Sequence, residues 1–525
     1  MKTLFVFLSI AGAACGACQK FDFVVYGGTA AGVTAAVAAA RNGLQVALVA
    51  PERHLGGMVT GGLSATDFGN YRVIGGLSRE VFQRIGKHYG KPVEWRFEPH
   101  VAEQVMNDMV REAKVKVFTS HRLKERGGVT AQGARLQQII TENGDRFCAV
   151  TFADTSYEGD LMGQANVKYT WGRESEQEYG ESLAGVRGRQ RKDHHFNVRV
   201  SPFDAKGALL PEVFAGPKGK PGEGDKKMQA YTYRMCLSDD PGNQVPFSKP
   251  AGYDVRRYEL LARLIAALEA DHGHAPGIKE FLLMLRLPSA KFDINSFGGY
   301  STDHIGANWD YATASYKRRA EIWEDHRGYE AGFFYFLSHD ERVPAPLRAA
   351  VGALGLAKDE FTDNGNWPYQ LYIREARRMI GEYVMTQPDI QDRITKPDSI
   401  GLGSYQSDSH HVQRIATPDG AVENEGEMYV PTHPYQIPFR VMLPKRGQAE
   451  NLLVPVCFSA THVTYSTIRM EPQYMILGQA AGTAAAIGKK SGRLARDVDT
   501  AELQRALRAE KAILDYSEID NSTRD

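Results

Sequence analysis

The sequence predicts an α/β protein whose sheet opens with a parallel βαβ unit, and three observations predict it. A short apolar strand, residues 21–26 (FDFVVY), runs directly into the turn Gly27-Gly28-Thr29-Ala30-Ala31-Gly32. An alanine-rich helix follows over residues 33–43 (VTAAVAAARNG) and stops at Asn42-Gly43. A second apolar strand, residues 45–50 (QVALVA), closes the unit.

Such a glycine turn lets backbone N–H groups at a helix N-terminus approach a pyrophosphate, and Ala31 and Gly32 let helix and strand pack closely. Thr29 replaces the middle glycine of the usual GxGxxG. Ala50 stands where the second strand ordinarily ends in an acidic ribose ligand, which leaves Glu52 for that duty. On this motif alone, a glycine turn in an α/β fold that binds no nucleotide reads the same.

Later elements repeat the pattern. Residues 147–154 (FCAVTFAD) read as a strand ending on Asp154, after which SYEGDLM opens a helix with Glu158 and Asp160 in its first turn. Residues 451–458 (NLLVPVCF) read as another buried strand, left through Ser459-Ala460-Thr461-His462. Glu471-Pro472 starts a long helix in which Gly478, Ala480, Ala481 and Gly482 permit close approach. Amphipathic helices are expected over 260–270 and 309–323, and a solvated loop over 216–227.

The chain has 525 residues, 42% hydrophobic and 24% charged, which excludes a disordered, fibrous or polytopic membrane protein. Lys plus Arg and Asp plus Glu are 63 each, so no overall positive field draws it to nucleic acid. The apolar run over residues 4–14, too short to span a bilayer, reads as the core of a removed export signal, residues 1–17. Export to the periplasm or medium follows, with no stable membrane insertion. Gly12, three before Cys15, argues against a lipid anchor. Cys18, Cys148, Cys236 and Cys457 form no disulfide framework or CxxC spacing, and the last three read as buried small hydrophobes.

The loop over residues 54–70 carries two Gly-Gly pairs, Gly56-Gly57 and Gly61-Gly62, so its backbone must pass close to something flat or anionic. With it the chain resembles the exported FAD-dependent oxidoreductases of the glutathione-reductase and fumarate-reductase structural class, some of which carry the label "xanthan lyase-related". The stretches that carry the resemblance are YGGTAAG, PERHLGGMVTGGLSATDFGN, ADTSYEGDLM with YTWGRES, REARRMIGEYVMTQPD, SYQSDSHHVQR, YQIPFRVMLPK and the run over residues 451–486. They extend from about residue 21 to 490.

The resemblance implies a Rossmann-type FAD-binding domain assembled from discontinuous segments, with an inserted α+β substrate or cap domain. The expected boundaries are 18–180 and 436–492 for the FAD-binding domain, 181–435 for the cap and 493–525 for a C-terminal helix and tail. FAD contacts are expected from Gly27, Gly28, Thr29, Ala31, Gly32, Glu52, Gly56, Gly57, Met58, Gly62, Asp154, Glu158, Glu471 and Gly478. For the carboxylates, simple helix capping is the competing reading. The start of the 471 helix is expected at the pyrimidine end of the flavin, where negative charge collects on reduction.

The expected activity is oxidation or reduction of a small polar organic substrate, such as a carbohydrate or a hydroxy or amino compound, by hydride transfer at flavin N5. The partners are that substrate and an electron acceptor of unspecified identity. His462 is the first candidate for the proton-accepting base, then His410 or His411. Arg469, Arg374 and Arg378 are candidates to anchor substrate or stabilise reduced flavin. A carbohydrate lyase and a non-catalytic sugar-binding protein are the alternatives. No HExxH or Cys/His spacing accompanies His194-His195 or His410-His411, and adjacent side chains face different ways, so no metal is expected.

Overall fold

The structure, a computed structural model, describes residues 17–523. Cys15 and all but the last residue of the expected export signal lie outside the described residues.

Strand β1, Gln19–Tyr26, turns at Gly27 into helix α1, Ala30–Arg41. Gly27 has φ +111°, and a Cβ on Gly32 would stand 2.1 Å from the Gly27 carbonyl oxygen, so the turn closes only with glycine at both places. The Thr29 hydroxyl caps α1, accepting the Gly32 N–H at 3.2 Å. Strand β2, Val46–Val49, is buried throughout. Helices α2, Gly76–His88, and α3, Pro99–Glu112, precede strand β3, Lys116–Phe118. Strands β4, Val129–Gln132, and β5, Arg135–Ile140, form a hairpin before β6, Arg146–Asp154.

The sheet order is β3-β2-β1-β6-β5-β4. The first four strands are parallel, and β5 and β4 add antiparallel. Tyr26 pairs with both Val49 and Asp154, so the carboxyl ends of β2, β1 and β6 lie level and form the crevice where α/β sheets bind ligands. The fold is mixed α/β, with this Rossmann-like sheet and further antiparallel sheets. The largest of these has five strands, in the order Gln244–Val245, Gly355–Ala357, Met235–Ser238, Lys291–Ser296, Leu282–Leu287.

The long helix Glu471–Ser491 lies directly on α1. Cβ atoms added at Gly478 and Gly482 would come within 2.3 Å of the Ala31 oxygen and 2.2 Å of the Ala35 oxygen, so small residues set the helix spacing. The Thr34 hydroxyl adds a bond to the Met475 carbonyl at 2.9 Å.

Four expectations need correction. Cys148 is not a free buried hydrophobe: it is disulfide-bonded to Cys18, with the Cα atoms 5.9 Å apart. The partners are 130 residues apart in sequence and meet only because β1 and β6 are neighbours. Of residues 451–458, only Leu452–Leu453 pairs with β6. The helix expected over 309–323 runs instead over Tyr316–His339, opened by the Ser315 hydroxyl accepting the Arg318 N–H. Helix α4, Asp160–Gln164, begins after Glu158, which sits in the preceding turn. Among the described residues no helix is long and apolar enough to cross a membrane.

Candidate active site

A cleft of about 500 Å³ opens at the carboxyl ends of β1 and β2, lined by Tyr26, Glu52, Gly57, Glu158, Tyr311 and Trp323. Gly28 N–H donates to Glu52 Oε2 at 3.3 Å. The 54–63 loop is pinned to the same turn, Gly56 N–H donating to the Gly28 carbonyl at 2.7 Å. Burial, and then the charge of Glu158, pushes the Glu52 carboxyl up to about 7. Glu158 accepts from the Tyr311 hydroxyl at 2.9 Å. Burial raises its carboxyl too, while nearby Arg319 works the other way.

Asp154 is spent on its own turn. It accepts the Ser156 N–H at 3.1 Å, the Ser156 hydroxyl at 2.7 Å and the Met162 N–H at 2.7 Å. Gly478 faces the Ala31 carbonyl of α1 rather than the cleft. Gly62 passes against the backbone of Arg234.

From the glycine loop the site continues inward through Tyr157. Its hydroxyl accepts the Met58 N–H at 2.9 Å and donates to Glu471 Oε1 at 2.8 Å. At this end several buried polar atoms have no hydrogen-bond partner: Glu471 Oε2, both amide atoms of Gln473, and Arg469 Nε. Buried polar groups are ordinarily satisfied, so this run leaves bonds that a water or a polar ligand can complete.

Arg469 lies between the helices His462–Ile468 and Glu471–Ser491, donating to the Tyr372 hydroxyl at 2.9 Å and the Asp408 carbonyl at 2.8 Å. Arg374 also faces the Tyr372 ring, at 4.9 Å, and donates to the Ala230 carbonyl; its Nε and one terminal nitrogen lack hydrogen-bond partners. That nitrogen lies 3.0 Å from Asp303 Oδ1. The other carboxylate oxygen of Asp303 meets His410 Nδ1 at 2.6 Å. Burial works against ionisation of Asp303, but Arg374 and His410 hold it well below the usual carboxylate range.

His462 is placed differently. Its Nδ1 lies 2.9 Å from Glu375 Oε2, its backbone N–H donates to Glu174 at 2.8 Å, and it is buried. Against the effect of burial, His462 and then Arg378 hold Glu375 down at about 2. Arg378 is in turn held by Glu174, at 2.6 Å. His411 turns away from His410, its Nε2 3.3 Å from His195 Nε2.

The structure thus gathers Glu52, Gly57 and Glu158 around one cleft and joins Met58 and Glu471 through Tyr157. It places Arg469, Arg374 and His410 in one neighbourhood and His411 outside it. Sequence reasoning missed Tyr157, Asp303, Gln473 and Arg234. Arg234 bonds Asp293 through Nε at 2.8 Å, and Asp293 accepts the Ser64 N–H at 2.7 Å. A lone cation in the apolar run over 231–237 was the one available signal.

A cleft of about 500 Å³ beside a glycine turn at the carboxyl ends of parallel strands is the arrangement in which Rossmann-type folds hold a dinucleotide. The chain belongs to the FAD dependent oxidoreductase family, whose model matches residues 22–507, and its cofactor is FAD. No curated protein sequence matches it. Partial likenesses exist among solved structures. A flavin-containing monooxygenase from Stenotrophomonas maltophilia is 15% identical over 31% of this chain and 44% of its own, with a TM-score of 0.19. A bacillithiol disulfide reductase from Staphylococcus aureus is 14% identical over 26% and 38%, TM-score 0.20. An L-amino acid deaminase from Proteus vulgaris is 10% identical over 55% and 63%, TM-score 0.27. The chain therefore spans less than two thirds of each of these proteins.

Proposed function

We propose that the protein is an exported flavoenzyme that oxidises a small organic acid carrying a hydroxyl or amino group, a sugar acid included. The observation that carries this reading is the pair of buried guanidinium groups, Arg374 and Arg469, each with an Nε–H that no protein atom accepts, beside the Asp303–His410 pair. A substrate carboxylate would supply those bonds.

Asp303 on Nδ1 fixes the tautomer of His410 and leaves Nε2 to accept the proton from the substrate's OH or NH. His410 also keeps more exposure, 11% of its side chain against 2% for His462. Bound FAD would supply the two-electron acceptor for the substrate's hydride. Glu52 would hold its ribose, and Arg469 would face the pyrimidine end. We read 18–180 and 436–492 as the FAD-binding domain and 181–435 as the cap. The Cys18–Cys148 disulfide supports export, since such bonds persist in oxidising compartments.

The test is anaerobic reduction of the purified holoprotein by a panel of hydroxy acids, amino acids and uronic acids, with the matching amides and neutral sugars as controls. Bleaching by acids alone, with a raised KM in Arg374→Ala, is expected. Bleaching only by neutral compounds would refute the carboxylate reading.

A further inference from the structure

Two clusters among the described residues bring three potential metal ligands together: Glu98, His100 and Glu360, and His195, His411 and Glu427. The first already encloses a cation. Lys291 Nζ stands 2.8 Å from Glu98 and 2.6 Å from Glu360, so the positive charge those carboxylates require is supplied by the chain.

The second cluster has no such occupant. His195 Nε2 lies 3.3 Å from His411 Nε2 and 3.3 Å from Glu427 Oε2, and the remaining separation is 3.9 Å. Ligand atoms about 2.0–2.1 Å from a tetrahedral ion are themselves about 3.3–3.4 Å apart, so this triangle matches a tetrahedral face with one edge slightly open. The three residues are 5%, 3% and 4% exposed. Arg191 takes Glu427 Oε1, through Nε at 2.6 Å, whereas Oε2 turns to the two imidazoles, 3.3 Å from His195 and 3.9 Å from His411. Two imidazole nitrogens and a carboxylate oxygen converge on one buried point with no protein cation between them, which is a donor set for a borderline cation.

We propose that His195, His411 and Glu427 bind a divalent transition-metal ion of the zinc class, with the fourth position left for water. Adjacent histidines do face apart within each pair, as the sequence suggests. One histidine from each pair nevertheless turns to the same point, across 216 residues. The ion would fasten three separate segments behind the reaction end. The His411 carbonyl accepts the Ala230 N–H at 2.9 Å, the Ala230 carbonyl accepts from Arg374, and His410 holds Asp303.

The experiment uses full-length, FAD-loaded protein stripped with chelator, incubated with zinc chloride, separated from free metal and analysed for zinc. Wild type and His100→Ala should retain stoichiometric zinc, and the isosteric Glu427→Gln, together with His411→Ala, should retain little. In parallel, zinc should raise the thermal unfolding midpoint of stripped wild type saturably, a readout that needs no variant to fold. Failure of wild type to retain zinc or to be stabilised would overturn the proposal, as would equal retention by Glu427→Gln or loss in His100→Ala. Because no readout involves turnover, the outcome is independent of the substrate proposed above.

Discussion

The Tyr157 hydroxyl donates to Glu471 Oε1 at 2.8 Å while accepting the Met58 N–H at 2.9 Å, so one phenol ties the glycine loop to the start of the long C-terminal helix. Burial, only partly offset by Tyr157, pushes the Glu471 carboxyl up to about 8. At neutral pH this helix therefore begins with an uncharged acid, and the dipole at its end is left for another negative group.

The first prediction concerns that proton. Unfolded, the Glu471 carboxyl titrates near 4.5, and folded near 8, so between these values the native state holds a proton that the unfolded chain has released. The group's contribution is complete below 4.5 and drains away as pH rises to about 8, with a slope of up to about 1.4 kcal/mol per pH unit. Denaturant titrations of cofactor-free Glu471→Gln should show a flatter decline over that window than wild type.

Gly32→Val should yield colourless protein. The added Cβ falls 2.1 Å from the Gly27 oxygen and 2.8 Å from the Thr155 hydroxyl, which forces the turn open where the pyrophosphate would sit. The ratio of flavin to protein absorbance reads this directly, and a folded variant with stoichiometric FAD would count against the assignment.

Glu52→Gln should weaken FAD by about 1–3 kcal/mol if Glu52 holds the ribose, measured by flavin fluorescence on titration into apoprotein. Its raised carboxyl, about 7 against 4.5, also makes the apoprotein lose stability from pH 4.5 to 7, and the substitution should remove that share. The part of the decline between pH 7 and 8 should survive, because Glu471 still holds its proton over that range.

These sites differ in how far the sequence reveals them. Residues 21–50 declare themselves because strand, glycine turn and helix are consecutive, and every signal is local. Glu52 follows from its place after the second strand. Pro472 marks the 471 helix for the same reason. The Cys18–Cys148 pair and the Asp303–His410 contact depend on which distant segments become neighbours, information that no local spacing carries. The helix Tyr316–His339 was misplaced because residues such as Arg319, His326, Tyr329 and Glu330 bury polar groups and blur its amphipathic period.

At the reaction end, His410→Ala should slow anaerobic flavin reduction by about 10²- to 10⁴-fold with FAD still bound, the usual contribution of a positioned base. If Arg469 faces the pyrimidine end of the flavin as proposed, Arg469→Ala should lower the flavin midpoint potential, because it removes a cation from beside the reduced ring. If His462→Ala rather than His410→Ala abolishes reduction in stopped-flow traces, the proton acceptor is the histidine held by Glu375.

Protein from its own host should begin near Cys18 and carry the Cys18–Cys148 bond. Intact mass before and after reduction checks both points. Replacing either cysteine by serine should cost about 2–5 kcal/mol, seen as a lower unfolding midpoint under oxidising conditions.

The contact of Gly478 and Gly482 with the carbonyls of Ala31 and Ala35 has a consequence for biosynthesis. The first βαβ unit emerges early from the ribosome, yet the surface of α1 that completes it is covered by a segment made more than 400 residues later. Until that segment arrives, an alanine-rich face stays bare and the turn after β1 lacks its backing. Nascent chains truncated before residue 471 should therefore be unable to load flavin, and insertion of the cofactor has to wait until residues 471–491 have been made.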